Sequence, residues 1–355
     1  MLLGAAARKL QLFHCVRRKM LREWKPFNMK TTSISLLCAG VLALAVGNAR
    51  AEQDIITKTF DVKPGGKLTM KVDRGSIHIN TSASDKVDVR VVRDVKRVSD
   101  SKAKEIIEQH KIDMSENAGT VLISADNPQK NKILGKNPFN NLQVDYTISV
   151  PSKFNLDLRT AGGNIDIADL EGTVDARTAG GNLKLGSIAG PINAQTSGGN
   201  ITLQAAKGNA AVHTSGGDLR IGNVDGDLVA KTSGGSIQLE KIKGRVDAQT
   251  SGGDVHVKEA YGPVMARTSG GNVSATLNEQ PKGDCALKTS GGNVSLVIPE
   301  KLALDVRAST SGGSIHSDFP GDMNKSKTKL TAQLNGGGPE MVLETSGGNV
   351  NIRKR

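Results

Sequence analysis

Residues 178–195 read TAGGNLKLGSIAGPINAQ, and this stretch decides the fold. Leu183 and Leu185 alternate with polar neighbours, the period-2 pattern of a short strand with one face inward. Ile188 points inward at a corner and Gly190 marks a turn. Ile192 and Ala194 then alternate with Pro191, Asn193 and Gln195 as a second strand. Nothing here has helical period, and no segment leaves room for a stable helix. The pattern returns along the chain. A Thr-Ser/Ala-Gly-Gly-Asn/Asp/Ser-aliphatic motif starts at Thr160, Thr178, Thr196, Thr214, Thr232, Thr250 and Thr268, a constant 18-residue step. Further copies start at Thr289 and Thr310, at steps of 21, and at Thr345, after 35. A fixed period of this length implies coils stacked into a solenoid.

Stacking aligns the inward positions into rows. One row runs Ile165, Leu183, Ile201, Leu219, Ile237, Val255, Val273 and Val294; another is nearly all alanine, from Ala176 to Ala266. Small and β-branched side chains suit a narrow interior, which accounts for an aromatic content of only 3%. The predicted turn glycines are Gly162-Gly163, Gly180-Gly181, Gly198-Gly199, Gly216-Gly217, Gly234-Gly235, Gly252-Gly253 and Gly270-Gly271. A corner needs either positive φ or close stacking there, and glycine permits both. The Asn, Asp or Ser that follows each pair can hydrogen-bond at the turn or between coils. Left-handed hexapeptide helices share this coil length, but their sub-period of six is absent. Calcium-binding nonapeptide rolls need a third Gly and an Asp where this chain has Asn200-Ile201-Thr202-Leu203.

Composition agrees once the chain is divided. The chain has 355 residues, 41 glycines and a net charge of +12. Glycine without an every-third-residue period excludes collagen. Residues 29–51, MKTTSISLLCAGVLALAVGNARA, have a basic start, a short apolar run and an Ala49-Arg50-Ala51 site, and so predict a cleavable signal peptide ending at Ala51. The apolar run is too short to span a bilayer. Leu37 before Cys38 argues against a lipoprotein. Residues 1–28 are expected to be a leader upstream of a true start at Met29. Nine of the 47 basic residues and one of the 35 acids fall in residues 1–51, so the rest carries 38 bases and 34 acids, a net of +4. That balance, export and the lack of exposed aromatics argue against nucleic-acid binding. Of the 3 cysteines only Cys285 remains in the mature chain, so no disulfide can form within it.

Residues 52–159 lack the register and are expected to form a β-rich cap over the solenoid's open end. Strands are predicted over 56–62, 68–72, 77–80, 87–92, 121–125 and 144–150, and a helix over 102–110 with Ser101 as N-cap and Ala103, Ile106, Ile107 and His110 on one face. Residues 74–79, RGSIHI, read as a degenerate coil, and 127–141 as a polar loop. Residues 160–355 carry the repeats, with an insertion at 319–328 inside a late coil. The basic Arg353-Lys354-Arg355 end would discourage edge-to-edge pairing of the last strand.

Candidate chemistry is sparse. The mature histidines, His78, His110, His213, His256 and His316, match no metal motif, and no G-x-S-x-G elbow occurs. Asp218 and Asp254 share a row two coils apart, about 9.6 Å by strand spacing, near the carboxylate separation of inverting glycosidases. The row is otherwise Asn or Ser, which favours a corner role. One outward row is basic or neutral: Arg177, Gln195, His213, Lys231, Gln249, Arg267 and Lys288. It reads either as a stripe for an acidic glycan or lipopolysaccharide, with Arg177, His213, Lys231, Arg267 and Lys288 as contacts, or as a solvated face that resists aggregation.

Several motifs together resemble the bacterial exported "putative adhesin" domains of unknown function, also called toast-rack domains. They are Phe60-x-Val62 with Pro64-Gly65-Gly66, the Gly75-Ser76-Ile77 coil, Tyr146-x-Ile148-x-Val150-Pro151, and the Gly-Gly-Asn/Asp series. The resemblance covers about residues 55–352 and implies a single-stranded, right-handed parallel β-helix with no established catalytic residues. The expected protein is all-β, exported to the periplasm or cell surface, without cofactor or metal, and not an enzyme. It would recognise an envelope or surface glycan or a protein through its flat faces. An envelope-stress or regulatory module is the alternative, and a polysaccharide-active enzyme the third reading. Oligomeric state stays open.

Overall fold

The computed structural model describes residues 53–126, 138–319 and 323–355. The expected leader, the signal peptide with Ala49 and Ala51, and most of the 127–141 loop lie outside the described residues. Among the described residues the chain forms two long sheets, of 14 and 15 strands, mostly parallel. One α-helix, Asp100–Gln109, and a short 3-10 helix, Pro138–Asn141, complete it. Each repeat gives one strand to each sheet. Leu183–Ile188 lies in the first sheet and Ile192–Gln195 in the second. Leu183 pairs in parallel with Ile201, and Ile201 with Leu219; Ile192 pairs with Ala210, and Ala210 with Leu228. Ile188 points inward as expected, but it lies in the strand itself, which runs on past Gly186, a residue the pairing skips.

Three apolar side chains per repeat enter the interior from the first sheet, as with Leu183, Leu185 and Ile188, and two from the second, as with Ile192 and Ala194. Every member of the Ile165-to-Val294 row and of the Ala176-to-Ala266 row is buried. Each buried Leu or Ile contributes about 1.5–3 kcal/mol. Polar ladders hold the corners. The Thr196 hydroxyl is buried, donates to the Gly181 carbonyl at 2.8 Å and accepts the Gly199 N–H at 3.4 Å. One position beyond each glycine pair, Asn182 Oδ1 accepts the Asn200 N–H at 2.8 Å, and Asn200 Oδ1 accepts the Asp218 N–H at 2.7 Å. The two glycines of a pair differ. A Cβ on Gly199 would stand 2.1 Å from the Gly181 carbonyl oxygen, whereas a Cβ on Gly180 would meet nothing within 4 Å. None of these paired glycines has positive φ, so close stacking is what the second position requires.

The ends do not follow chain order. Lys67–Val72 and Ser76–Ser82 form a coil lying between the strands of 120–151 and those of 155–167. At the far end, Glu340–Thr345 and Val350–Lys354 lie between Cys285–Ile298 and the Leu304–Thr310 and Ile315–Ser317 pair. The last strand is therefore interior, and its basic residues do not guard a sheet edge. The edges are Gln53–Asp61, the polar strand Ile112–Asn117, and two three-residue strands, Ile315–Ser317 and Met323–Lys325. Three of these edges are short or polar and leave little backbone to recruit another chain, while the nine-residue Gln53–Asp61 is the long one.

The helix starts earlier than expected, at Asp100, with Ser99 rather than Ser101 at the N-cap. Of the expected face, Ala103, Ile106 and His110 are buried and Ile107 is half-buried. Beneath it, the buried Arg93 guanidinium donates to the Ile107 and His110 carbonyls at 2.8 and 2.6 Å, and to Asp54 Oδ2. That places a cation on the helix C-terminus, where the dipole favours one. His110 Nε2 lies 3.3 Å from Asp73 Oδ1, with both side chains buried. Burial alone would raise the Asp73 carboxyl, but hydrogen bonds from His110 and Arg74 hold it below the ordinary value. Burial pushes the Tyr146 hydroxyl well up.

Candidate functional site on the outer faces

The outward residues of the second sheet place the basic row in a line. Arg177 pairs with Gln195, then His213, Lys231, Gln249, Arg267 and Lys288 follow, each across one parallel strand step. Register alone produces this, because the same side of the pleat recurs every repeat. The row continues as Arg159 on one side and Glu344 on the other.

The electrostatics of the row differ from a one-dimensional reading. Arg177 Nε sits 3.0 Å from Asp175, Lys231 3.5 Å from Asp247, and Lys288 2.8 Å from Glu344. These carboxylates belong to the adjoining outward row or to the next strand, so they neutralise most of the stripe. Burial first, and the Lys231 charge second, lower the His213 pKa, which favours the neutral imidazole. Arg267 alone of the five basic members is a cation without a carboxylate within ion-pair distance among the described residues. Beside the row lie Ala211, Val229, Met265 and Val342, half-buried outward side chains. The face therefore presents mixed apolar, cationic and anionic groups rather than a basic track.

The paired acids considered for hydrolysis are already engaged. Asp218 Oδ1 accepts the Ser236 N–H at 3.0 Å, and Asp218 also pairs with Arg220. Asp254 Oδ1 accepts the Asn272 N–H at 2.7 Å. Both do what Asn182 and Asn200 do elsewhere in the ladder. The histidines are dispersed: His78 faces Asp166, His256 Nδ1 lies 2.6 Å from Ser274 Oγ, and His316 faces Asp318. No cluster of His, Cys, Asp or Glu able to hold a metal occurs among the described residues. Cys285 is buried, and burial pushes its thiol up, away from thiolate reactivity. No helix among the described residues is long and apolar enough to cross a membrane.

Sequence reasoning missed a second glycine row. Gly172, Gly190, Gly208, Gly226, Gly244 and Gly262 recur at the same step at the opposite corner. A Cβ on Gly244 or Gly262 would stand 2.4 Å from the carbonyl oxygen of the glycine one coil earlier. The constant spacing was the available signal, masked by the louder Gly-Gly motif.

A family model, Toastrack DUF4097, matches residues 66–353. No curated protein matches the chain in sequence. Among solved structures, a "putative adhesin" of Bacteroides fragilis is 14% identical, with 87% of this chain and 100% of that one covered, at a TM-score of 0.35. A "putative lipid binding protein" of Parabacteroides distasonis is 13% identical, with 87% and 98% covered, at 0.37. A "putative adhesin" of Parabacteroides merdae is 9% identical, with 87% and 98% covered, at 0.32.

Proposed function

The chain belongs to the Toastrack DUF4097 family, and on that footing we propose that it is an exported, non-enzymatic adhesin or scaffold of the bacterial envelope or surface. It recognises a polymer or a protein through the outer face of its second sheet. Its coils follow the constant step of the repeat and wind right-handed, the hand that parallel crossovers favour. The carrying observation is the line of outward residues from Arg177 to Lys288, set one strand spacing apart by register. A polymer laid along that line meets one outward polar or cationic side chain at every step of about 4.8 Å. The neighbouring Asp175, Asp247 and Glu344 make a mixed-charge partner a better fit than a plain polyanion.

The non-enzymatic reading is supported by Asp218 and Asp254, whose oxygens serve the ladder. Glycan arrays probed with the mature protein, and adhesion assays on a deletion strain, test the proposal. We expect binding that weakens when Lys231 and Arg267 are both changed to Gln. Absence of any glycan or protein partner, together with normal adhesion, overturns it. Reducing-sugar release that is lost on Asp254→Asn would replace it with an enzyme.

A further inference from the structure

One corner of the stack breaks the repeat, and the break builds a cavity. Between strands Ile237–Ile242 and Val246–Gln249 the corner is residues 243–245, and in the next coil it is 261–263. Between Val273–Leu277 and Cys285–Thr289 it is residues 278–284. The strand before this loop is also out of step. Val257 pairs with Ala275 but Ala260 pairs with Leu277, so the register slips within one coil. The ladder is interrupted on the other side as well: the Val246 N–H donates to the Pro263 carbonyl, but the Val264 N–H reaches only the Cys285 sulfur, at 3.4 Å. Such bulges re-aim side chains and concentrate beside functional sites.

The enlarged loop is pinned in place. Gln280 donates to the Ala303 carbonyl at 2.8 Å and accepts the Ala303 N–H at 2.9 Å, and Asp284 accepts the Glu340 N–H at 2.9 Å. It walls a cavity of about 490 Å³ over the two preceding corners. Four cations line this cavity, Lys241, Lys243, Arg245 and Lys282, against the carboxylates Asp227 and Glu279. Lys243 is already paired with Asp225 at 2.7 Å. Among the described residues, Lys241, Arg245 and Lys282 have no carboxylate within ion-pair distance. Asp227 Oδ1 accepts the Arg245 N–H, which leaves it part of the ladder. Tyr261 also lines the cavity, with the Lys241 ammonium 5.0 Å from its ring centre and Pro263 beside it.

We propose that this broken corner is a binding site for an anionic saccharide, a sugar bearing a carboxylate or a phosphate. The three uncompensated cations supply the anion contacts. The Tyr261 ring and Pro263 offer an apolar surface to a sugar ring, and Glu279 accepts from hydroxyls. The cavity volume is in the range of small-molecule pockets, larger than a lone phosphate needs. The site is separate from the second-sheet face and does not depend on the function proposed for it.

Titration calorimetry on the mature protein tests the proposal with four probes: a galacturonic-acid tetrasaccharide, glucose 6-phosphate, neutral maltotetraose and inorganic phosphate. At least one of the two anionic sugars binds, and which one does identifies the acidic group. We expect maltotetraose and inorganic phosphate to bind at least about tenfold more weakly. Lys282→Gln and Arg245→Gln, both at exposed corner positions, each weaken binding about tenfold with an unchanged melting temperature. Tyr261→Leu weakens the sugar and leaves the weak binding of inorganic phosphate unchanged. Lys231→Gln, on the sheet face, has no effect here. The proposal is overturned if neither anionic sugar binds, if inorganic phosphate matches them, or if folded Lys282→Gln and Arg245→Gln proteins bind as the parent does.

Discussion

The middle coils and the terminal coils use the same building block and reach opposite relations to chain order. From Thr178 to Arg267 each strand pairs with its counterpart one repeat earlier and its counterpart one repeat later. The first and last coils instead insert between neighbours far away in the chain: the Asn349 N–H reaches Asn293 Oδ1 across 56 residues. The difference teaches what each arrangement is for. Local stacking propagates cheaply because each added coil closes a short loop. A coil simply left at the end of the stack would present bare edge strands, and insertion gives it partners on both sides.

Substitutions at the glycine pairs sharpen the comparison most strongly. Gly217→Ala puts a Cβ 2.1 Å from the Gly199 carbonyl oxygen inside the regular stack. Backbone cannot yield there without moving two coils, so we expect a loss of about 3 kcal/mol or more in chemical denaturation. Gly180→Ala meets nothing within 4 Å and should be neutral or stabilising by about 0.5 kcal/mol. Equal losses at the two positions would break the stacking account.

Asp73 lies between Lys67–Val72 and Ser76–Ser82 and tests the first of the inserted coils. Asp73→Asn removes charge-assisted bonds from His110 and Arg74 and should cost about 1.5–3 kcal/mol at neutral pH. Its carboxyl is held below the ordinary 3.8 in the folded protein. The stabilisation is therefore complete above the unfolded value and is lost as pH falls through the folded one. The difference between parent and variant should shrink below about pH 4 in a urea-denaturation series; a difference constant down to pH 2 would contradict the assignment.

Thr232→Val keeps the shape but orphans the Gly217 carbonyl and the Gly235 N–H. A loss of about 1–2 kcal/mol is expected, with Thr232→Ser recovering most of it. At the small end, Arg177→Gln on the exposed face should change stability by less than about 0.5 kcal/mol, since exposed ion pairs contribute little.

What could be read from the chain follows the same division. The buried rows through Leu183, Leu185, Ile192 and Ala194 were legible because their period is local and strict. The helix face of Ala103, Ile106 and His110 was legible for the same reason. The insertion of Val350–Lys354 between Val294–Ile298 and Ile315–Ser317 was not, because each of these segments carries the same motif and any of them could neighbour any other. The basic stripe was legible as a row but its ion pairs were not: Asp175 sits two residues before Arg177 on the same face, while Asp247 and Glu344 come from neighbouring strands. At the broken corner, the longer step from Thr268 to Thr289 was visible, while the grouping of Lys241, Arg245, Tyr261 and Lys282 needed the coils to be stacked.

Amide hydrogen exchange along the last strand, Val350–Lys354, tests the inserted-coil account most directly. With partners on both sides, the Val350 and Ile352 amides should exchange as slowly as those of Leu219 and Ile221 in the middle of the stack. Rapid exchange there, of the kind a fraying terminal strand shows, with the Leu304–Thr310 strand still protected, would contradict it.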